Sequence, residues 1–367
     1  MVELISAIVI AMFLLIEGFA RLLINKISKI SRFVVGVEAT EYIASKSQHF
    51  KQQKNPVKLQ KLFEPRPYGL YWNSPNFFQN GMQQTDSNGF RYKGYDVCKK
   101  KNRLRVLVYG GSTTFSNHFI DDPSKCWPYL AEKLVNQMTT SEVEFINAGL
   151  NWATSAELLS HFIFEGKKFL PDVLIIEGPG NDALPISLGD LTADYRKTRG
   201  SISWQVRKYE PFWLNHFKVV KLFYIFWLRN QNILNLRADK YLPRDIRNKL
   251  LIDNNPNAYE SNINTFIEQA LFLNIKVVLI DFSVDFSVIE EDKPGISDGL
   301  TIHYKKMNKV LENAAKIDSE MVKYISIDNN FFSQVDFADA VHLNENGEAK
   351  KAQYLTDLLL PIFTLSN

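Results

Sequence analysis

From residue 103 onward, short apolar runs rich in β-branched residues alternate with longer stretches of helical pattern. Such short, uniformly apolar runs are typical of strands buried on both faces of a parallel sheet. The alternation predicts an α/β fold, a three-layer α/β/α sandwich whose mostly parallel five-stranded sheet is covered by helices on both faces. The predicted strands are Arg105–Tyr109, Val143–Asn147, Val173–Glu177, Lys276–Asp281 and Tyr324–Asp328. The predicted helices are Trp127–Met138, Ser155–Phe169, Tyr259–Leu273 and Thr301–Ile317.

A site in such a sheet is expected beyond the carboxyl ends of the strands, where the first candidate residues lie. Gly110 and Gly111 follow the first apolar run directly, and Ser112 comes next. Two glycines allow a tight turn with close backbone approach. Backbone N–H groups at a helix N-terminus can stabilise an oxyanion. Taken alone, this patch fits a phosphate-binding turn or a helix cap as well as a nucleophile.

Two further patches end the second and third apolar runs. Residues 147–149 read Asn-Ala-Gly, and the N–H of Gly149 can approach a reacting carbonyl oxygen. Residues 178–182 read Gly-Pro-Gly-Asn-Asp, in which Asn181 offers a neutral side-chain donor suited to the same role. Either patch by itself would also fit an ordinary turn or a helix cap.

The fourth patch lies near the C-terminus, where Asp339 and His342 are three residues apart and Gly347 follows. A carboxylate and an imidazole at this spacing can meet within one turn. Asp339 can then fix the tautomer of His342 through Nδ1, and the other ring nitrogen faces outward to accept a proton from a serine. An isolated pair at this spacing also fits a purely structural contact.

The order of the four patches resembles that of the SGNH (GDSL-like) hydrolase family, whose blocks contribute Ser, Gly, Asn and His in this sequence order. The resemblance covers about residues 103–360 and rests on VLVYGGSTTF, NAGLNWATSAE, the Asn181 patch and DAVHLNENG. It implies a flavodoxin-like sheet and a Ser-His-Asp triad. By this similarity the nucleophile is Ser112, the general base His342 and its orienting carboxylate Asp339. The implied oxyanion hole consists of the Ser112 N–H, the Gly149 N–H and the Asn181 side chain.

The resemblance implies a serine esterase, a carboxylic ester hydrolase acting on a small acyl ester such as an O-acetyl group on a cell-surface glycan. It implies no cofactor and no metal. Two alternatives stay open, because the sequence does not separate them: an acyltransferase that passes the acyl group to a glycan through the same triad, and a catalytically silent glycan-binding or scaffold protein.

The front of the chain predicts a membrane anchor. Leu4–Ile24 is apolar over about 21 residues, enough for one bilayer crossing. Glu17 and Arg21 interrupt it four residues apart, so they can pair on one helix face. A later aromatic arm contains Asn88-Gly89-Phe90-Arg91, and together these features resemble an anchored subgroup of the family associated with cell-surface glycans.

The predicted organisation is an anchor at residues 1–25, a stem and aromatic, proline-rich arm at 26–102, and a hydrolase domain at 103–362 with a helical insertion at about 184–258. Within the insertion, Trp204–Gln231 mixes aromatic and basic residues, which fits either a lid or membrane-touching surface or a helix packed on the domain. The predicted localisation is single-pass membrane. The resemblance favours a catalytic domain on the exterior or periplasmic side, whereas basic residues after the anchor favour the cytoplasm.

Charge and cysteine content exclude some classes of protein. The net charge of +3 is too small to indicate nucleic acid as the main partner, which requires a concentrated basic face. The resemblance implies an acyl ester or acylated glycan as partner, and the apolar N-terminal segment predicts the membrane as a second, while the oligomeric state is not specified. Cys98 and Cys126 do not form a CxxC motif, which excludes a zinc ribbon or dithiol redox site. They fit either two free thiols or one disulfide.

Overall fold

The computed structural model describes residues 11–22, 63–66, 70–91, 94–195, 198, 217, 219–220, 242–328 and 330–364. The chain divides into two compact units. The first unit comprises Met1–Arg66 together with Arg196–Tyr241, and the second comprises Pro67–Tyr195 together with Leu242–Asn367. The second unit contains all four patches described above. The predicted domain boundaries at 25/26 and 102/103 stay predictions.

The second unit is built on a five-stranded parallel sheet, as predicted. The described strands are β1 (Phe63–Arg66), β2 (Leu70–Asn73), β3 (Phe78–Gln79), β4 (Met82–Gln83), β5 (Arg103–Gly110), β6 (Glu142–Gly149), β7 (Val173–Glu177), β8 (Lys276–Ile280) and β9 (Val322–Ile325). The last five form the sheet, in the spatial order β6-β5-β7-β8-β9. When these five are numbered by their order in the chain, the spatial order is 2-1-3-4-5, that of flavodoxin-like doubly wound sheets.

Helices cover both faces of this sheet. Helix α1 (11–22) belongs to the first unit. The α-helices in the described residues of the second unit are α2 (Ser112–Phe115), α3 (Trp127–Met138), α4 (Ser155–Phe164), α5 (Ala183–Ser187), α6 (Arg244–Asp253), α7 (Asn257–Phe272), α8 (Ile289–Asp292), α9 (Ser297–Ala314) and α10 (Glu345–Thr364). On one face α3 and α10 bury an apolar core that includes Val106, Val108, Phe145 and Ile175. On the other face, Tyr109 of β5 meets Phe162 of α4 and Phe266 of α7 edge to face. The predicted three-layer arrangement is therefore present.

The register of the sheet brings the ends of its central strands together. Gly110 at the end of β5 pairs with Gly149 at the end of β6. Glu177 at the end of β7 pairs with Ile280 of β8. Because all of these strands run in parallel, the segments that follow them emerge at one edge of the sheet, and the patches at residues 110–115, 147–149 and 178–182 are neighbours there.

The predicted arm is ordered over residues 70–91 and lies in the same unit as the sheet. The Tyr71 hydroxyl donates to the Asn151 carbonyl at 2.7 Å. The Asn73 side chain donates to the Gly149 carbonyl at 3.0 Å, and the Arg91 N–H donates to the Asn147 carbonyl at 2.9 Å. The arm therefore contacts the loop that follows β6.

The predicted transmembrane anchor and single-pass membrane localisation are wrong. Of Leu4–Ile24, the structure describes residues 11–22, which form helix α1. Across the described ranges, no helix is both long enough and apolar enough to span a membrane. The membrane as a predicted partner is corrected by the same finding.

The Glu17–Arg21 pair predicted within this segment is present, with Arg21 Nε donating to Glu17 Oε1 at 2.8 Å. The second oxygen of Glu17 accepts the Val219 N–H at 3.0 Å, and the rings of Phe13 and Phe217 lie 5.6 Å apart. The N-terminal helix thus contacts part of the aromatic, basic segment within the first unit. The stem at 26–62 and the rest of Trp204–Gln231 lie outside the described residues. Cys98 and Cys126 are both free thiols.

Candidate active site

The turn after β5 carries Ser112 as the first residue of the short helix α2, with Gly111 as its N-cap. A side chain at Gly110 would collide with Thr114, because a Cβ built there would lie 1.9 Å from Thr114 Oγ1. The tight turn therefore depends on glycine at this position. As a result, the Ser112 hydroxyl stands at the carboxyl edge of the sheet, beside its two neighbouring strand ends.

The structure brings Ser112, His342 and Asp339 together. His342 Nε2 lies 2.8 Å from Ser112 Oγ, although the two residues are 230 positions apart in the chain. His342 Nδ1 lies 2.8 Å from Asp339 Oδ2 and 3.0 Å from Oδ1. The Asp339 carboxylate also accepts the backbone N–H groups of Val341 at 2.9 Å and of His342 at 2.7 Å. These bonds fix the carboxylate within a single turn.

The electrostatics of this turn keep Asp339 ionised. Burial alone would raise the pKa of Asp339, but the charge of His342 and the hydrogen bonds from His342 and Val341 outweigh it and hold the pKa well below its ordinary value. An ionised Asp339 is an acceptor only, so Nδ1 of His342 carries the proton. Nε2 is then the acceptor of the Ser112 hydroxyl, the arrangement that a general base requires.

Asn181, expected as an oxyanion donor, lies next to the serine turn. A Cβ built on Gly111 would be 3.2 Å from Asn181 Nδ2. That nitrogen donates one hydrogen bond to the Ala153 carbonyl at 3.1 Å, and a side-chain amide carries a second N–H. The backbone N–H of Ser112 lies at the start of α2. Both expected donors therefore lie at the turn that carries Ser112.

The third expected donor, the Gly149 N–H, is engaged elsewhere. It donates to Asn147 Oδ1 at 2.9 Å within its own loop. Close packing explains why glycine occurs here, because a Cβ at Gly149 would lie 2.5 Å from the Phe115 backbone nitrogen. In this structure Gly149 brings β6 close to the serine helix, and its N–H is not directed at Ser112.

Two aromatic side chains that no sequence pattern indicated lie on either side of the His342 ring. The ring centroids of His118 and Phe119 lie 5.6 Å and 5.4 Å from that of His342. Burial lowers the pKa of His118 to about 3, and repulsion by His342 whenever that ring is protonated acts in the same direction. His118 is therefore an uncharged ring above about pH 4. Both residues belong to an irregular loop after α2, where neither helical nor strand periodicity could have selected them.

A group of charged residues that the motifs also missed lies buried behind the serine turn. Glu177, Glu348 and Lys351 are each 1% exposed. A signal for two of them was available, since Glu348 and Lys351 share a face of α10 with Leu355 and Leu359, which are fully buried. Within the described ranges, no group of three or more His, Cys, Asp or Glu side chains could hold a metal ion.

No protein-family model matches this sequence, and no curated protein sequence matches it. Solved structures do match at low identity. A lipase/acylhydrolase from Enterococcus faecalis is 15% identical, and the match covers 71% of this chain and 96% of the other with a TM-score of 0.42. A carbohydrate acetylesterase from Sinorhizobium meliloti is 11% identical over 71% and 99% of the two chains, with a TM-score of 0.43. A GDSL-like lipase from Bacteroides thetaiotaomicron is 14% identical over 73% and 92%, with a TM-score of 0.40. The fold and site described above rest on the geometry of this chain alone.

Proposed function

We propose that this protein is a serine carboxylic ester hydrolase in which Ser112 is the nucleophile, His342 the general base and acid, and Asp339 the carboxylate that orients it. One observation supports the proposal above all others, the unbroken hydrogen-bond chain from Asp339 through His342 to Ser112. A serine hydroxyl is a weak nucleophile until an adjacent base accepts its proton, and this chain supplies that base with its tautomer fixed.

The reaction follows from these contacts. Ser112 Oγ attacks the ester carbonyl carbon while its proton passes to His342 Nε2. The Ser112 N–H and the Asn181 side chain stabilise the negative charge that develops on the carbonyl oxygen. His342 then gives the proton to the departing alcohol oxygen, leaving an acyl group on Ser112. A water molecule, deprotonated by the same imidazole, attacks the acyl carbon and releases the carboxylic acid and the free enzyme.

The substrate class we propose is a small acyl ester, such as an O-acetyl group on a glycan. This part of the proposal rests on the resemblance of the four patches to SGNH hydrolases and of the Asn88–Arg91 segment to members associated with cell-surface glycans. The arm and the packed glycines support a rigid site, which suits an enzyme that holds a defined acyl group against its nucleophile.

Ester hydrolysis by the full chain and by Ser112→Ala tests the proposal, with aryl acetates of increasing acyl length as substrates. We expect turnover by the wild type and loss of about 10³-fold or more in kcat for the variant. Ser261→Ala, on the exposed side of α7, is the matched control and should retain wild-type activity. Equal turnover by Ser112→Ala and wild type would refute the proposal.

Adding a glycan acceptor to the same assay measures how the acyl group partitions between water and sugar. Transfer in excess of hydrolysis would show that the protein is a transferase and not a hydrolase.

A further inference from the structure

Glu348 lies six residues after His342, in the first turn of α10, and is 1% exposed. Its Oε2 accepts the backbone N–H of Trp127 at 2.6 Å. Its Oε1 lies 2.7 Å from the hydroxyl oxygen of Ser116, which follows the serine helix α2. Glu348 therefore connects the segment that carries His342 with the turn that carries Ser112.

The contacts of Ser116 indicate which partner holds the proton. Ser116 Oγ lies 2.7 Å from Glu348 Oε1 and 2.9 Å from the carbonyl oxygen of Thr113. A carbonyl oxygen is an acceptor only, and a hydroxyl has a single proton. Both contacts can be hydrogen bonds at the same time only if Glu348 is protonated. The Glu348 carboxyl then donates to the Ser116 hydroxyl oxygen, and the Ser116 hydroxyl donates to the Thr113 carbonyl. An ionised Glu348 would compete with Thr113 for the same proton.

The charges around Glu348 favour the same state. Glu177, from β7, forms an ion pair with Lys351 of α10 at 2.7 Å. It also accepts hydrogen bonds from the Thr114 hydroxyl at 2.6 Å and from Trp127 Nε1 at 3.2 Å. One buried ammonium thus compensates one buried carboxylate. Ionisation of Glu348 would add a second negative charge beside this already neutral pair, which is costly in a buried site.

The thiol of Cys126, immediately before α3, also lies beside Glu348, and it is hydrogen-bonded to the buried guanidinium of Arg91. The other hydrogen bonds of this guanidinium go to the Gln84 side chain and the Ile120 carbonyl. Burial raises the pKa of that thiol to about 12, so it carries no charge near neutrality. Burial raises the pKa of Glu348 to about 7, against the opposing effects of Lys351 and of its hydrogen bonds with Ser116 and Trp127. The negative charge of Glu177 acts in the same direction as burial.

We propose that Glu348 is a positioning residue that works as a protonated carboxylic acid, tying the start of α10 to the end of the turn that carries Ser112. The two proposed catalytic residues lie on separate elements, 230 positions apart in sequence. Their separation of 2.8 Å requires that these elements be held in one relative position. Glu348 does this from the buried side, through Ser116 and Trp127. The catalytic consequence rests on the proposed function, whereas the protonation state of Glu348 does not.

A direct measurement of the proton uses protein in which the glutamate δ-carbons are labelled with ¹³C, so that aspartates such as Asp182 do not contribute. In the full chain at pH 6, carbon NMR should show a protonated glutamate carboxyl that titrates near pH 7. The signal should be absent in Glu348→Gln and retained in Glu345→Gln, an exposed carboxylate one turn away that pairs with Lys125. A wild-type spectrum in which every glutamate titrates near its ordinary pKa would overturn the proposal, whatever the enzyme assay shows.

The kinetic arm compares Glu348→Gln with Glu348→Ala. A glutamine amide can donate to Ser116 and accept from Trp127 as the protonated acid does. As Glu348 ionises, we expect wild-type kcat to decline when the pH rises through 7. Glu348→Gln should keep kcat within about two-fold at pH 6 and should lack that decline. Glu348→Ala should lose about ten-fold at every pH, because it removes both contacts and loosens the Ser112–His342 approach. Equal impairment of both variants, with no change in the pH profile, would contradict a positioning role. If Ser112→Ala retained activity, the proposed function would fail, while the carbon signal would still decide the state of Glu348.

Discussion

The side-chain amide of Asn73 donates to the carbonyl oxygen of Gly149 at 3.0 Å, and this bond fixes the end of β6 from the arm side. Asn73→Ala should leave that buried carbonyl without its partner, at a cost of about 1–3 kcal/mol in the free energy of unfolding. Activity should fall as well, because Gly149 packs against Phe115 of the serine helix. Urea unfolding and kcat/KM measure the two effects. Ser87→Ala, which removes an exposed hydroxyl on the same arm, should change neither quantity.

Asp339→Asn should retain the fold and lose most of the activity. An asparagine can donate to His342 Nδ1 through its amide, which favours the tautomer whose Nε2 carries the proton and cannot accept one from Ser112. Tautomer inversion of this kind costs roughly 10⁴-fold in kcat in serine hydrolases with this constellation. The measurement is kcat for aryl acetate hydrolysis, with circular dichroism to verify folding. Retention of more than a tenth of wild-type activity would show that Asp339 does not set the tautomer.

Asp182 should make stability depend on pH around neutrality. Burial raises its pKa to about 7, against hydrogen bonds from Ser155 and Tyr195. A carboxyl whose pKa is raised by folding binds its proton more tightly in the native state. Its stabilising effect is therefore present in full below the ordinary pKa of 3.8 and is lost as pH rises through about 7.

Asp182→Asn should accordingly flatten the decline of unfolding free energy between pH 5 and pH 8. One proton contributes at most about 1.4 kcal/mol per pH unit to this slope. Urea unfolding across this pH range gives the measurement, and Asp253→Asn, an exposed carboxylate at the end of α6, is the control. An unchanged slope in Asp182→Asn would mean that the native carboxyl titrates near its ordinary pKa.

Phe119 should influence the choice of alcohol more than the choice of acyl group. In the proposed mechanism His342 protonates the departing alcohol oxygen, so the alcohol lies against that imidazole and the rings beside it. The Phe119 ring is 5.4 Å from the His342 ring. We expect Phe119→Ala to change relative kcat/KM across acetates of different alcohols by about ten-fold, with little change across acyl lengths. Phe272→Ala, which removes a ring that is 85% exposed, should change neither series. The reverse pattern would place Phe119 on the acyl side.

The parallel sheet was predictable because its strands are buried on both faces, and Val173–Glu177 was predicted with the bounds that β7 has. The last strand was predicted too late in the chain. It ends at Ile325 because Ile327 turns its N–H to Asp281 Oδ2 at 3.2 Å, and a tertiary hydrogen bond of this kind leaves no local pattern. Periodicity thus predicts which segments are strands, while side-chain contacts from elsewhere in the chain decide where they end.

The contact between Asp339 and His342 was predictable from their spacing, because residues three apart can meet within one turn. The role of Gly149 could not be predicted in the same way, since the orientation of one N–H depends on the side chain of Asn147. The apolar length of Leu4–Ile24 suggested an anchor, but no helix of the described residues is long and apolar enough to span a membrane. Glu177 and Lys351, 174 positions apart, form a pair that only the folded chain reveals.

The arm that holds the loop after β6 is joined to β5 through an exposed stretch around Lys100 and Lys101. Tyr71, Asn73 and Arg91 contact that loop directly. The arm therefore behaves as a tethered ligand of the sheet, and its short connection mainly sets a high effective concentration. If the chain were cut within this lysine-rich stretch, the two fragments would still carry the same complementary surfaces. The protein is therefore a candidate for reassembly from two fragments.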